Sequence, residues 1–506
     1  MNIKEFILPI IVALGFTGFI QYYYLKVQPQ TAAQTTFVAN QIVASTAPIN
    51  TDIDYLDSSL GKQAITTSIS TQWADLVFSS AGGALVTIDN KKHMYEAYTT
   101  MQTVHVGPHD GKEQGLFLVA LDNQTPFNYT LENYEVIDNK HKIRYVASSP
   151  QVHISKEFII DQQLPSIELQ LTVTPLSEKQ TARIFVQGPY MPTLADDILG
   201  SVVIDNGALF AKKTLTSLTQ GQGWLRPTLF GIDNRYFVHA LIADADGFAQ
   251  RAYYKAETMK SGMFILESSP IQQKTTWHLQ FYIGPKDIDL MTPVNPQLEK
   301  TLDYYGWLAP ISKALLRLLK WLYNYLHNYG LAIILLTILI KLLMTPLTMR
   351  SENSMRQQKE MQKKLAYIQQ KYKDNPDVLA QERAELVKKY GVPGLGGCLP
   401  ILLQIPLFFA LSRLLGNAIE LYKAPMAWIP DLSAKDPWYI LPGLVTFGML
   451  SNISSVDDKQ KLSIIAMALL FGALSANFSA GLALYITTNT LMGIVQTYAV
   501  KLFTKA

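Results

Sequence analysis

One lysine stands where a lysine is costly. The run Tyr329-Gly-Leu-Ala-Ile-Ile-Leu-Leu-Thr-Ile-Leu-Ile-Lys-Leu-Leu-Met-Thr-Pro-Leu347 is apolar almost throughout. At about 1.5 Å of rise per residue it is long enough to cross a bilayer core. Lys341 lies well inside it. A lysine at the centre of a membrane helix costs roughly 2.5–3.5 kcal/mol on insertion scales, so it faces a wet or paired interior. The other reading is that its stem lies along the helix and carries the ammonium to the nearer headgroups. Pro346 is roughly 8 Å of helix rise away, which leaves both readings open. A cation fixed at that depth does electrostatic work: it attracts acids, with about 4 kcal/mol between unit charges at 4 Å and an effective dielectric of 20.

Other polar residues fall in apolar stretches: Thr337, Gln404, Ser412, Arg413, Thr446, Ser475, Thr487, Thr488, Asn489 and Gln496. Facing one another, they would line a hydrophilic cavity around Lys341. Taken singly, Ser and Thr in such helices bond their own backbone. Arg413 sits towards the outer half of its span, with Glu420 seven residues on and on the same expected helix face. Covalent chemistry has little to work with. His105 and His109 lie near Asp110, but no nucleophile–base pair stands out, and the histidines read as ordinary surface or core residues. Cys398 is the only cysteine, which excludes an internal disulfide and a cysteine-pair metal site.

Charged residues make up 16% of the 506 and hydrophobic ones 48%, a balance that points to membrane content. A net charge of +3 is too small to argue for a nucleic-acid partner. Phe6 to Leu25 carries no charge and ends in Tyr22-Tyr-Tyr24, an interfacial aromatic belt. It has no clear small-residue cleavage site and reads as an uncleaved anchor within residues 1–26. Residues 27–71, rich in Gln, Thr, Ala, Ser and Pro, read as a tether. Residues 72–286 change character. Short alternating or β-branched runs, among them 75–78, 84–88, 142–146, 167–173, 182–186, 262–266 and 277–283, are separated by turn signals such as Gly82-Gly83. They predict a mostly antiparallel sandwich.

In residues 287–327, Leu308, Ile311, Leu315, Leu318, Leu322 and Tyr325 recur at helical spacing, away from Lys313, Arg317 and Lys320. This suits a helix lying in the membrane interface, or one packed on the β domain. The Lys341 span is 328–348. In residues 349–395, Met349 to Tyr390 carries ten Lys and Arg against six acids, with narrow apolar seams broken at Asn375-Pro376. A helical hairpin with a basic outside follows, suited to anionic headgroups or ribosomal RNA, or simply a solvated cytoplasmic loop. Residues 396–506 hold four more apolar spans, roughly 399–421, 438–453, 462–477 and 481–502. The bases of the hairpin, Lys459, Lys461, Lys501 and Lys505 mark the cytoplasmic side. Six spans then place both termini there and the β domain on the far side.

Two stretches carry a family resemblance: Gly396-Gly-Cys-Leu-Pro-Ile-Leu-Leu-Gln-Ile-Pro-Leu-Phe-Phe-Ala-Leu411 and Asp431-Leu-Ser-Ala-Lys-Asp-Pro-Trp-Tyr-Ile-Leu-Pro442. With Pro346-Leu347 and Gly481-Leu-Ala-Leu-Tyr485 they closely resemble the YidC/Oxa/Alb family of membrane-protein insertases, in its Gram-negative form. The strong likeness runs from Tyr329 to the C terminus; the anchor and a large β domain with Ser80-Ala-Gly-Gly83 near its start extend it. The resemblance implies six transmembrane helices, five of them around a hydrophilic groove sealed on the outside, a periplasmic β-super-sandwich and a cytoplasmic hairpin in a bacterial inner membrane. It implies insertion and folding of inner-membrane proteins, alone or with the Sec translocon, with nascent membrane proteins, the ribosome and anionic lipids as partners. No enzymatic activity, cofactor, metal or small-molecule substrate is implied. The groove residues would be Lys341, Thr337, Gln404, Tyr485, Ile486 and Asn489; the ribosome or lipid contacts would be Arg356, Lys359, Lys363 and Lys364. Lys341 stands where the family usually has Arg, so the charge is kept and the planar fork of donors is not. Ile486 stands where well-known relatives have an aromatic. The short C-terminal tail would shift ribosome docking onto the hairpin. A rival class is a transporter or channel with a periplasmic recognition domain, which predicts inverted repeats; none is found in the sequence. A second rival makes the β domain a carbohydrate-processing enzyme.

Overall fold

The computed structural model describes residues 51, 54–55, 64–91, 103–105, 115–122, 124–125, 128–176, 180–189, 198–205, 208–209, 213–218, 223–302, 308–373, 375–390, 395–451 and 458–503. The expected anchor 1–26 and most of the expected tether lie outside them, as do His109 and Asp110. The chain divides into two compact units, one up to Leu302 and the other from Asp303 onward.

The first unit is a β sandwich. Nine strands form one sheet, in the order Ala208–Leu209, Gly200–Asp205, Leu229–Asp233, Phe237–Asp244, Thr275–Pro285, Ser166–Pro175, Val152–Asp161, Lys140–Ser148 and Thr130–Ile137. A seven-stranded sheet has Leu118–Leu121, Gln180–Gln187, Gly262–Ile271 and Arg251–Ala256 at its centre. Pairing is antiparallel except for Asp54–Tyr55 against Gln124–Thr125. A third sheet of four strands begins with Thr66–Ser70 and Ala74–Ser79. Thr66–Ser70 falls inside the stretch expected to be tether, so the paired part of the domain starts earlier than Trp73.

The core lies where the inward sets meet, with Ile143, Phe158, Leu169 and Phe281 from one sheet and Val119, Ile184, Phe264 and Leu266 from another. Lys156 occupies one of these inward positions, in step with Val152, Ile154, Phe158 and Ile160. Its ammonium donates to the carbonyls of Gly82 (2.7 Å), Phe117 (2.8 Å) and Gly83 (3.3 Å) and lies 4.6 Å from the Tyr129 ring centroid. Burial lowers its pKa well below the ordinary lysine range. The Gly82-Gly83 turn needs glycine at both positions: both have positive φ, and a Cβ on Gly82 would come within 2.4 Å of Leu118. The short helix α1, Ile288–Val294, covers the other face of the nine-stranded sheet through Met291 against Val238, Ala240 and Tyr282.

The second unit is helical: α2 Ala309–Leu326, α3 Tyr329–Lys371, α4 Pro376–Tyr390, α5 Leu395–Asn417, α6 Ile440–Leu450, α7 Asp458–Ser475 and α8 Ala480–Phe503. His327 in the left-handed region ends α2, and the Asn328 side chain caps α3 by accepting from Leu331 N at 3.0 Å. The Lys341 span and the first arm of the expected hairpin are one helix of 43 residues, where the sequence reading divides them between 348 and 349. Pro346 lacks the N–H that continues the ladder, yet the helix runs through it. The expected break at Asn375-Pro376 is present, and α4 packs against α3.

Three expectations need correction. The span expected over 399–421 ends at Asn417; Glu420 follows in a 3-10 turn, Ile419–Leu421, and so is not on the helix of Arg413. Its buried carboxylate accepts from Lys320 Nζ at 2.9 Å. The span over 438–453 shortens to the 11 residues of α6, and Trp438 and Tyr439 are left exposed before it. The single apolar set expected on α2 is two faces. Ser312, Leu315, Leu316, Leu319 and Leu322 are buried, whereas Ile311, Ala314, Trp321 and Tyr325 are exposed and line up with Leu318 on a second stripe. At about 100° per residue the two stripes are separated by roughly a third of the wheel, which the sequence pattern alone merges.

Candidate functional site

Lys341 points into the helical unit. Its half-buried ammonium donates to Asn489 Oδ1 on α8 at 3.2 Å. A Cβ on Gly493, one turn further along α8, would lie 4.0 Å from the same ammonium, with nothing nearer. The hydrogen bond turns Lys341 toward α8, whereas its neighbours Leu342 and Leu343 are exposed.

Two contacts fix the register of α3 on α8. Lys341 meets Asn489 across 148 residues, and a Cβ on Gly481 would lie 3.5 Å from Ile333 Cδ1 at the same offset. The helices thus run parallel and in step. Thr337 shares a layer with Tyr485, one turn from Lys341 on the Ile333 side, and Thr345 shares a layer with Gly493, one turn on the opposite side. The first of these layers is shut: Thr337 and Tyr485 are both buried, and the Thr337 hydroxyl donates to Ile333 O at 2.7 Å. Thr345, Thr446, Thr487, Thr488 and Thr490 likewise bond carbonyls of their own helices, as expected of lone hydroxyls in apolar helices.

The end of the unit nearest Ile333 is closed further by the segment between α5 and α6. Asp431 Oδ1 accepts from the backbone N–H of Lys423 (2.9 Å) and Ser433 (2.8 Å). Asp436 accepts from Trp428 Nε1 and from the N–H groups of Trp438 and Leu441, which satisfies orphan donors at the start of α6. The carbonyls of Ala434 and Leu432 do the same for Ala480 (2.6 Å) and Gly481 (2.8 Å) at the start of α8. Gly330 belongs to the same seal, since a Cβ there would lie 2.0 Å from Met426 Sδ.

Of the residues expected at the site, Lys341 and Asn489 meet, Thr337 and Tyr485 form the layer above them, and Ile486 is half-buried beside Tyr485. The side chains of Gln404, Arg356, Lys359 and Lys363 lie outside the described residues; Lys364 is exposed on α3. Gly493, on the Asn489 face at a spacing of four, was legible as a helical neighbour but not as a gap beside the cation.

Among the described residues one helix, over Tyr329–Pro346, is long and apolar enough to cross a membrane; with a half-buried cation on it and a β sandwich in the same chain, the class is a helical membrane protein with an extramembrane β domain. Residues 321–506 match the family model described as 60Kd inner membrane protein, and residues 66–318 match the YidC periplasmic domain. A membrane protein insertase YidC from Geobacter metallireducens is 30% identical over 448 residues, covering 83% of this chain and 82% of its own. The one from Syntrophus aciditrophicus is 30% identical over 509 residues, covering 93% and 90%. The chain belongs to the YidC family. A solved active YidC insertase is 18% identical and covers 86% of this chain and 93% of its own, with a TM-score of 0.38, too slight a likeness to bear on the fold.

Proposed function

We propose that this chain is a membrane protein insertase that draws short polar tails into the bilayer through a one-sided groove centred on Lys341. The observation that carries this is the hydrogen bond from Lys341 to Asn489, which turns a half-buried ammonium toward α8 within the helical unit. A tail crossing the bilayer must leave water. A wet groove partway through shortens the apolar barrier, and the ammonium offsets part of the cost of desolvating an acidic side chain. The layer of Thr337 and Tyr485 stops the groove from becoming a pore, and the substrate helix leaves sideways along the apolar faces of α5 and α7. No bond is made or broken, so the activity is not enzymatic.

The wider arrangement proposed is six membrane spans in a bacterial inner membrane, with both termini and the α3–α4 hairpin cytoplasmic and the β domain periplasmic. On the hairpin, Arg356, Lys359, Lys363 and Lys364 meet the ribosome or anionic lipid. The outward stripe of α2 rests in the interface, with Lys313 and Arg317 turned to water. Nascent membrane proteins are the substrates, alone or beside the Sec translocon. The test is Lys341→Gln and Lys341→Glu in cells that depend on this copy. Insertion of acidic-tailed single-span substrates should fall in the first and fail in the second; wild-type insertion in both would refute the role of the charge.

A further inference from the structure

The polar face of α8 does not end at Asn489. Gln496 lies seven residues beyond Asn489 and three beyond Gly493, so its Cα falls within about 20° of Asn489 on the helical wheel. In the parallel register it stands level with position 348 of α3, about two turns to the inner side of the cation. Its Nε2 is buried and has no hydrogen-bond partner among the described residues. A buried amide left without an acceptor costs on the order of 1–3 kcal/mol, so such a group stands where something else supplies the acceptor.

We propose that Gln496 is a second station of the groove, donating to a backbone carbonyl of the tail in transit. This rests on the insertase reading above. The two stations differ in chemistry. Lys341 offers a full charge and selects carboxylates, whereas Gln496 offers a neutral N–H that suits the carbonyl every residue carries. Their separation along the helix fits an extended chain. Asn489, which holds the ammonium, is about 10.5 Å of rise from Gln496, and an extended strand advances about 3.3 Å per residue. A carboxylate on Lys341 therefore brings a carbonyl about three residues away to Gln496, and Gly493, whose nearest neighbour would be the ammonium at 4.0 Å, leaves space between them. Gln496 thus acts on any polar tail, and Lys341 sets the preference for acidic ones.

The test uses the full chain in proteoliposomes with paired single-span substrates whose tails differ only in Asp against Asn. Gln496→Met, close to isosteric, should lower insertion of both tails about fivefold, the factor that the net worth of one hydrogen bond represents, and keep the acidic-to-neutral ratio of the wild type. Gln496→His, which keeps an N–H donor, should restore most of the loss. Melting of both variants in detergent separates misfolding from the effect sought. Wild-type insertion by Gln496→Met overturns the proposal, as does a loss that Gln496→His fails to restore while both remain folded. A changed tail ratio in Gln496→Met also overturns it, because that assigns Gln496 to charge. Lys341→Gln in the same assay reports on the insertase reading separately, through that ratio.

Discussion

Replacing Asn489 by Asp tests whether the Lys341 ammonium must remain available to the substrate. In the wild type a neutral amide oxygen holds it at 3.2 Å, which fixes the amine without consuming its charge. A carboxylate at that distance attracts it with about 5 kcal/mol at an effective dielectric of 20. Desolvating the aspartate cancels much of this. A net preference of only about 1.4 kcal/mol for the internal pair leaves tenfold fewer free ammonium groups for an incoming acid. Asn489→Ala only removes one hydrogen bond to a charged group, worth about 1.5–3 kcal/mol when dry and less where water replaces it. The ordering is therefore specific: wild type, then Asn489→Ala, then Asn489→Asp lowest, read as the ratio of acidic-tail to neutral-tail insertion in proteoliposomes. The Asp variant should fall at least tenfold in that ratio. A wild-type ratio in Asn489→Asp would refute the claim that an unneutralised cation reads the tail.

Two further outcomes follow from the seal and from the β domain. Gly330→Ala drives a Cβ to 2.0 Å from Met426 Sδ and 2.6 Å from Met426 Cβ, so despite alanine's better helix propensity it should destabilise the sealed end by about 1–2 kcal/mol, seen as a lower Tm of the full chain in detergent. His239 is buried in the strand Phe237–Asp244 with its Nδ1 2.8 Å from Gln187 O, and desolvation lowers its pKa to about 4. The unfolded chain therefore binds this proton first, so the contribution is present above about pH 6.5 and lost as pH falls towards 4, amounting to about 2 kcal/mol between pH 7 and pH 5. His239→Gln should flatten that part of the stability-against-pH curve for the β unit, and an unchanged slope would count against a neutral buried imidazole.

What could be read in the sequence followed from period and composition, and what could not depended on pairs far apart in the chain. A strand such as Ile167–Val173 alternates plainly because one face is core and the other is polar and only partly buried. Val152–Asp161 alternates as well, but Lys156 stands on the inward side and breaks the pattern; the carbonyls of Gly82, Gly83 and Phe117 and the Tyr129 ring, each many residues away, make that position tolerable. Phe237–Asp244 is buried on both faces, so it carries no alternation to read. In the helical unit, Lys341 was conspicuous, yet its direction rests on the common offset that aligns α3 with α8. That alignment gives the proposed groove its sense. Along α8, Tyr485 fills the layer on the sealed side of the cation, Asn489 accepts from it, and Gly493 leaves space on the other. Side-chain size therefore falls in the direction from which a tail would enter. A chain with the same residues and α8 shifted by one turn would set Tyr485 beside Lys341 and lose the opening, without any change in composition, charge or hydropathy.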